Sequence, residues 1–205
     1  MIEINLDGLV ALEAMLKAYP ARTRQAASLA INQTAKREAL INIRRDMIRQ
    51  INWKMSYLQD KTGVKRLAYP NRLSATLFGR DQPTMLNRFR ANPDSLPKRQ
   101  KRGKNTGVRV KVKPHSPKVM RGAFVYQFKK NKAIGILMRT KGGISEPPMG
   151  VTNGGGRYIS SMRAWLLYAP SIDQVMWDTA EQNRARIEKY LVSEFLRQFN
   201  RLNKL

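Results

Sequence analysis

Side chains able to act as nucleophiles, general acids or metal ligands are scarce in this chain. It contains no cysteine and a single histidine, His115. Disulfides, thiolate nucleophiles and cysteine-based metal sites are therefore excluded, and neither a histidine-based triad nor a histidine-rich metal site is expected. His115 belongs to the sequence Pro114-His-Ser-Pro117. This sequence predicts a loop, in which a surface histidine is the ordinary outcome.

The carboxylates do not form the close pairs that acid–base catalysis requires. Asp173 and Asp178 are five residues apart on a predicted helix, so their side chains point in different directions. Glu181 and Glu188 share a helix face, but Arg184 accompanies them, which is typical of a solvated helix surface. We therefore expect no enzyme activity, cofactor, metal or small-molecule substrate. A nuclease, which needs clustered carboxylates, is the least favoured function.

Positive charge is the one strong chemical signal. The chain has 39 Lys and Arg against 14 Asp and Glu, for a formal charge of +25. Between Asp94 and Glu146 lie 51 residues with 15 Lys and Arg and no acid. Such a stretch repels itself in a compact monomer, which favours an anionic partner. Nucleic acid, an acidic protein surface and anionic lipid are the alternatives. Lipid is the least favoured, because no basic amphipathic helix accompanies the cations, and no membrane partner is expected.

Sequence-specific recognition of bases is not indicated. The chain shows no helix-turn-helix pattern, no zinc finger and no aromatic-rich RNA-binding strand. Nucleic acid would be bound through its phosphates, in a salt-sensitive and sequence-independent way. The cations that we predict to face DNA or another anion are Lys98, Arg99, Lys101, Arg102, Lys104, Arg109, Lys111, Lys113, Lys129, Lys130 and Lys132.

Helices are predicted at both ends of the chain. Apolar residues at spacings of three and four predict a short helix over 6–19, and a run without Gly or Pro predicts a long helix over 21–52. Near the C-terminus, Ser171 and Gln174 have the spacing of a capping box. They predict a helix that continues almost to the last residue.

Short strands are predicted between these helices. Residues 73–78 and 84–89 read as a hairpin, and 122–128 and 133–138 read as two further strands. Residues 108–113 alternate strictly between valine and a cation, so a strand here places the valines on one face and the cations on the other.

Two Gly- and Pro-containing segments complete the predicted organisation. Residues 92–107 predict a mobile basic loop, and 141–157 a flexible Gly/Pro-rich connection. No Gly-Lys-Ser/Thr of a phosphate loop follows the glycines of the second segment. The prediction is a single α+β domain over 1–205, with long N- and C-terminal helices packed against a small antiparallel sheet of four or five strands.

Four segments follow one another along the chain, with the highly basic middle among them: Ala26-Ala-Ser-Leu-Ala-Ile-Asn32, Arg121-Gly-Ala-Phe124, Met138-Arg139 and Leu167-Tyr-Ala-Pro-Ser171. Their order resembles that of the minor tail protein Z family of tailed bacteriophages and prophages. The Gly-Ala-Phe and Tyr-Ala-Pro-Ser stretches are the most specific of them. Residues 53–107 contribute nothing to the likeness.

The resemblance implies a structural virion protein that completes the tail at its head-proximal end and passes through the host cytoplasm during assembly. It implies a ring-like homo-oligomer, other tail or neck proteins as partners, and phosphate contacts with genomic DNA. From sequence position, the residues predicted for packing or assembly are Phe124, Tyr168, Pro170, Leu191 and Phe195. The rival hypothesis is a freestanding, sequence-nonspecific nucleic-acid-binding protein, for which the same charge is the whole function.

Overall fold

The computed structural model describes residues 2–5, 20–96, 107–140 and 156–203. The predicted helix at 6–19 and the predicted anion-facing residues Lys98, Arg99, Lys101, Arg102 and Lys104 lie outside these ranges. So does most of the predicted connection at 141–157, whose last two residues begin a strand.

The described residues form an α+β fold with antiparallel sheets. The helices are α1 (Pro20–Gln33), a π-helix (Thr34–Ala39), α2 (Leu40–Gln50), α3 (Met55–Lys61), α4 (Ile172–Gln182) and α5 (Arg184–Asn203). Short 3₁₀ turns occupy Leu86–Phe89 and Ser160–Met162. The strands are β1 (Ile2–Asn5), β2 (Thr62–Arg66), β3 (Ser74–Gly79), β4 (Pro83–Met85), β5 (Val108–Lys113), β6 (Ser116–Met120), β7 (Ala123–Gln127), β8 (Ile134–Met138), β9 (Gly156–Ile159) and β10 (Ala164–Ser171).

By its internal contacts the chain divides into two compact units. Unit 1 comprises Met1–Met47, Met55–Arg80 and Ile172–Leu205, and unit 2 comprises Ile48–Lys54 and Asp81–Ser171. Unit 1 holds a three-stranded sheet in the order β1-β3-β2. Unit 2 holds a sheet in the order β4-β10-β8-β7, to which β9 adds by pairing with β10, and the separate two-stranded ribbon β5-β6.

The predicted hairpin over 73–78 and 84–89 is wrong. Strand β3 pairs with β1 and β2, whereas β4 pairs with β10. Arg80, which follows β3, is held by backbone hydrogen bonds to other elements. The N–H of Arg80 donates to the carbonyl of Lys61, and the carbonyl of Arg80 accepts from the N–H of Asp173. These bonds direct the chain away from a hairpin turn. The strand predicted over 84–89 is also short: it ends at Met85, where the 3₁₀ turn begins.

Unit 1 is built around close packing of α1 against α5. Ala26, Ala27, Ala30 and Ile31 are fully buried along α1. The three alanines are small enough to let two helix backbones approach closely. Leu191 and Phe195 of α5, 4% exposed each, lie in the same core. They are therefore packing residues of unit 1.

A buried carboxylate lies on α5, which also contacts the π-helix. Glu194 is 5% exposed and accepts hydrogen bonds from Arg197 Nε and Nη2 at 2.8 and 2.7 Å and from Gln198 Nε2 at 2.7 Å. The Arg197 hydrogen bonds, supported by Gln198 and by the charge of Arg37, lower the pKa of Glu194 although burial acts in the opposite direction. Its negative charge is thus satisfied within unit 1.

This arrangement predicts an acid-dependent stability. A glutamate whose pKa is lowered by folding stabilises the folded state above its unfolded pKa, and this contribution disappears as the pH falls below about 4.5. Glu194→Gln should therefore lower stability at neutral pH and flatten its decline between neutral pH and about pH 3. Urea unfolding across this range measures both effects. Glu188→Gln, at an exposed carboxylate of the same helix, should leave the decline nearly unchanged; an equal flattening by both variants contradicts the assignment.

The core position of Leu191 predicts a large loss of stability on truncation. Leu191→Ala removes buried methyl groups and leaves a cavity, so the free energy of unfolding should fall by about 2–5 kcal/mol. Leu196→Ala is the matched control, since Leu196 is 45% exposed on the same helix and should change stability by no more than about 0.5 kcal/mol. Denaturant unfolding of both variants tests this. A loss of stability for Leu191→Ala as small as that expected for Leu196→Ala would place Leu191 outside the core.

Candidate anion-binding cleft

Strand β5 presents a row of cations. Val108 and Val110 are 8% and 4% exposed, while Arg109, Lys111 and Lys113 are exposed on the other face. The predicted alternation is therefore confirmed. Because the valines are buried, they fix the direction in which the three cations point.

The row is part of the antiparallel ribbon β5-β6. Arg109 pairs with Val119, and Lys113 pairs with Ser116 across the turn. His115 occupies that turn with a φ of 64°, a left-handed conformation in which histidine is unusual. The turn thereby places the single histidine of the chain at the tip of the basic ribbon.

Glycine is required where the ribbon begins. Gly107 has a φ of 84°, and a Cβ atom there would clash with the backbone carbonyl of Met120. Both the conformation and the space therefore exclude a side chain. The β5 backbone can approach β6 closely at this end only because residue 107 has no Cβ.

A cleft of about 590 Å³ opens beside β5 within unit 2. The described residues that line it are Asn52, Phe89, Arg90, Ala91, Arg109, Val110, Lys111, His115 and Pro117. Three are permanent cations, one is the histidine, and none of these lining residues is acidic. A concave site with one sign of charge concentrates ions of the opposite sign.

Asn52 fastens β5 along the cleft. Its N–H donates to the carbonyl of Val112 at 2.7 Å and its Nδ2 donates to the carbonyl of Lys111 at 3.0 Å. Next to it, Trp53 is 3% exposed, and its ring lies 6.4 Å from that of Phe89 between centroids. Asn52 thus joins the cation row to an aromatic cluster of unit 2.

Arg90 is the least exposed cation of the cleft. Its Nη1 donates to Asn87 Oδ1 at 2.8 Å and its Nη2 donates to the carbonyl of Ser95 at 3.1 Å. Asn87 is itself held by donating to the carbonyl of Pro93 at 2.7 Å. Burial lowers the pKa of Arg90. These acceptors are neutral, so they orient the guanidinium without cancelling its charge.

Sequence reasoning did not find Arg90 or Asn52. Arg90 precedes Asp94 and therefore falls outside the acid-free tract, and Asn52 lies at the end of a predicted helix. Both reach the cleft through tertiary structure, and neither has a local spacing that could have signalled it. The structure thus adds these residues to two of the predicted cations, Arg109 and Lys111, and to His115.

Of the predicted cations that the structure describes, Lys113, Lys129, Lys130 and Lys132 are not among the residues that line the cleft. Lys129, Lys130 and Lys132 lie in the exposed turn between β7 and β8. The turn is held by Gln127 Nε2, which donates to the carbonyl of Lys132 at 3.1 Å. These three lysines extend the positive surface of unit 2 without joining the cleft.

Three of the residues predicted for packing or assembly lie on the five-stranded sheet of unit 2. Phe124 is half-buried under the Arg139 guanidinium, 4.9 Å from the ring centroid. Tyr168 is half-buried against the cluster of Leu137, Ala164 and Leu166. Pro170 is exposed within β10. Phe124 and Tyr168 therefore pack within unit 2, while Pro170 is open to solvent.

The described part of the chain contains no group of three His, Asp or Glu side chains that could hold a metal ion. None of the described helices combines the length and the apolar character needed to cross a membrane.

Comparisons of the chain with protein-family models, with curated proteins and with solved structures find no match.

The geometry at Gly107 predicts how the ribbon responds to substitution. Gly107→Ala should destabilise unit 2 and raise amide hydrogen exchange in β5 and β6, because the new Cβ meets the Met120 backbone. Gly122→Ala is the matched control. Gly122 has a similar φ of 78°, but a Cβ there meets only Met138 Cε at 3.8 Å.

The control should cost about 1–2 kcal/mol for the left-handed conformation alone, and Gly107→Ala should cost more. Hydrogen exchange followed by mass spectrometry, combined with thermal unfolding, makes the comparison. Equal costs and unchanged exchange in the ribbon would contradict the close approach at Gly107.

Proposed function

We propose that the protein is a non-enzymatic structural component of a bacteriophage virion, located at the head-proximal end of the tail. In this role it completes the tail, assembles with other tail or neck proteins and with copies of itself, and presents a basic surface to DNA or to acidic neighbours. The arrangement of long terminal helices against an antiparallel sheet, with a basic loop at 92–107, belongs to the same proposal.

One observation carries this proposal: three of the segments that resemble the minor tail protein Z family are neighbours in space. Arg121-Gly-Ala-Phe124 leads into β7, Met138 ends β8, and Leu167–Ser171 forms the end of β10. Since β8 lies between β7 and β10, the resemblance falls on one continuous region of a sheet.

Direct contacts join the first two segments, and Tyr168 of the third packs against the cluster of Leu137, Ala164 and Leu166, as Phe124 does. Met138 pairs with Ala123 of β7 on one side and with Trp165 of β10 on the other. Arg139 lies over the Phe124 ring at 4.9 Å, within the range of a cation–π interaction. Residues that pack against one another in a fold restrict each other's identity. The clustering of these segments therefore supports the view that the family resemblance reflects one shared region of structure.

The charge distribution supports the second half of the proposal. Exposed cations lie along β5 and in the β7–β8 turn, and none of the described residues that line the cleft is acidic. A surface of one sign stabilises contact with a polyanion or an acidic partner. The virion supplies both, as packaged DNA and as neighbouring proteins.

The same cleft favours the alternative function. A freestanding, sequence-nonspecific nucleic-acid-binding protein also needs exposed cations and phosphate contacts. This function does not depend on the family resemblance. The two functions differ in where the protein is found after assembly.

Mass spectrometry of purified phage or prophage particles distinguishes them. We expect the protein to co-purify with tail-tube protein at a constant ratio across density-gradient fractions and to remain after nuclease treatment. The proposal is contradicted if the protein is missing from particles and instead sediments with host nucleic acid until nuclease releases it. That result supports the freestanding binder.

A further inference from the structure

We propose that the cleft and the β5 row together bind the phosphodiester backbone of nucleic acid, with Arg90 as the anchor for one phosphate. This inference rests on the proposed function and deepens it by choosing nucleic acid over an acidic protein as the partner of the basic surface.

The guanidinium of Arg90 is oriented and still has donors to offer. A guanidinium carries five N–H groups, and two of its nitrogens are engaged by Asn87 and Ser95. An arginine held in place loses less conformational entropy when it binds, and its planar fork matches the oxygens of a phosphate. Because the acceptors on Asn87 and Ser95 are neutral, they leave the positive charge of Arg90 for a phosphate in the cleft to balance.

The other three donors reach the cleft from a single ribbon. Arg109 and Lys111 extend from β5, and His115 lies in the following turn. Since Asn52 bonds to the backbone at Lys111 and Val112, the ribbon is held at the cleft before any ligand arrives. A preorganised set of donors binds an anion at lower entropic cost.

The spacing of the row fits a regular polyanion. Arg109, Lys111 and Lys113 follow one another at every second residue of a strand, which corresponds to about 6.8 Å. Phosphates of one DNA strand follow one another at a rise of about 3.4 Å along the helix axis. The row therefore offers evenly spaced cations to evenly spaced phosphates. Duplex DNA carries one negative charge for about every 1.7 Å of its axis, and this high charge density favours it over the carboxylates of a protein surface.

The apolar part of the cleft indicates backbone contact without base stacking. Phe89 and Val110 are 3% and 4% exposed, so the aromatic ring has no free face for a base. These residues, with Pro117, exclude water from one side of the cleft and strengthen the attraction between an anion and the cations. Binding should therefore be salt-dependent and blind to sequence.

Fluorescence anisotropy of a labelled mixed-sequence duplex with the full-length protein tests the inference. Affinity should fall steeply between about 50 and 200 mM salt. Arg109→Gln combined with Lys111→Gln should make the negative slope of log K against log salt less steep by about two units. Lys36→Gln combined with Lys189→Gln removes the same charge from exposed positions on helices of unit 1 and should leave the slope within about half a unit of the unmodified protein.

Arg90 is tested by two further variants. Arg90→Gln should make the salt slope less steep by about one unit. Arg90→Lys keeps the charge, so it should preserve the slope while weakening the affinity for the duplex severalfold. Circular dichroism checks that both variants remain folded. If Arg90→Gln changes neither affinity nor slope, the anchor role is wrong.

Two competitors identify the ligand. Inorganic phosphate should displace the duplex only at high concentration, because it occupies one position of an extended surface. Polyglutamate matched to the duplex in charge should compete at least about tenfold more weakly, because duplex DNA carries its charges more densely along its axis. Equal competition by polyglutamate overturns the choice of nucleic acid, and absence of duplex binding at low salt overturns the inference entirely.

Failure of this inference is distinguishable from failure of the proposed function. A protein found in virions that does not bind duplex contradicts only the assignment of the cleft. A protein that binds duplex through the cleft but is absent from virions supports the cleft assignment and contradicts the virion role.

Discussion

Electrostatic repulsion among cations without nearby carboxylates is the constraint on which the organisation of unit 2 depends. Like charges close together raise the free energy of a folded protein, and they do so more strongly where water is excluded. In the described part of the acid-free tract, the cations of β5 are held in an ordered strand. Its valines are buried on one side of β5 and its cations are exposed on the other, so the hydrophobic effect holds positive charges in a fixed row.

The features around this row maintain the same arrangement. Gly107 lets β5 begin against β6 where a side chain would clash with Met120, and Asn52 fastens the strand through two hydrogen bonds. Arg90 is oriented by neutral oxygens of Asn87 and Ser95. Unit 1 handles charge differently: Glu194 is satisfied by Arg197 and Gln198 on its own helix. The buried carboxylate of unit 1 is therefore paired on its own helix, whereas the cations of β5 are exposed to solvent.

Local patterns in the sequence predicted the strands with clear periodicity or clear ends. The alternation at 108–113 and the apolar runs at 122–128 and 133–138 correspond closely to β5, β7 and β8. The hairpin at 73–89 failed because backbone bonds from Arg80 to Lys61 and Asp173 decide the path there. Such bonds join residues far apart in the chain, and no local pattern reports them. Strand β10, which ends in Pro170 and Ser171, was missed for the related reason that its partners β4, β8 and β9 come from distant segments.

If the exposed cations of β5 contact phosphates, bound DNA should make the lysines of that strand less accessible to a chemical reagent. Acetylation of the full-length protein, quantified for each lysine by mass spectrometry with and without duplex DNA, reads this out at residue level. The account predicts that DNA slows acetylation of Lys111 and Lys113 severalfold while leaving Lys36 and Lys189 unchanged. Equal protection of all four lysines, or protection confined to Lys36 and Lys189, would contradict it.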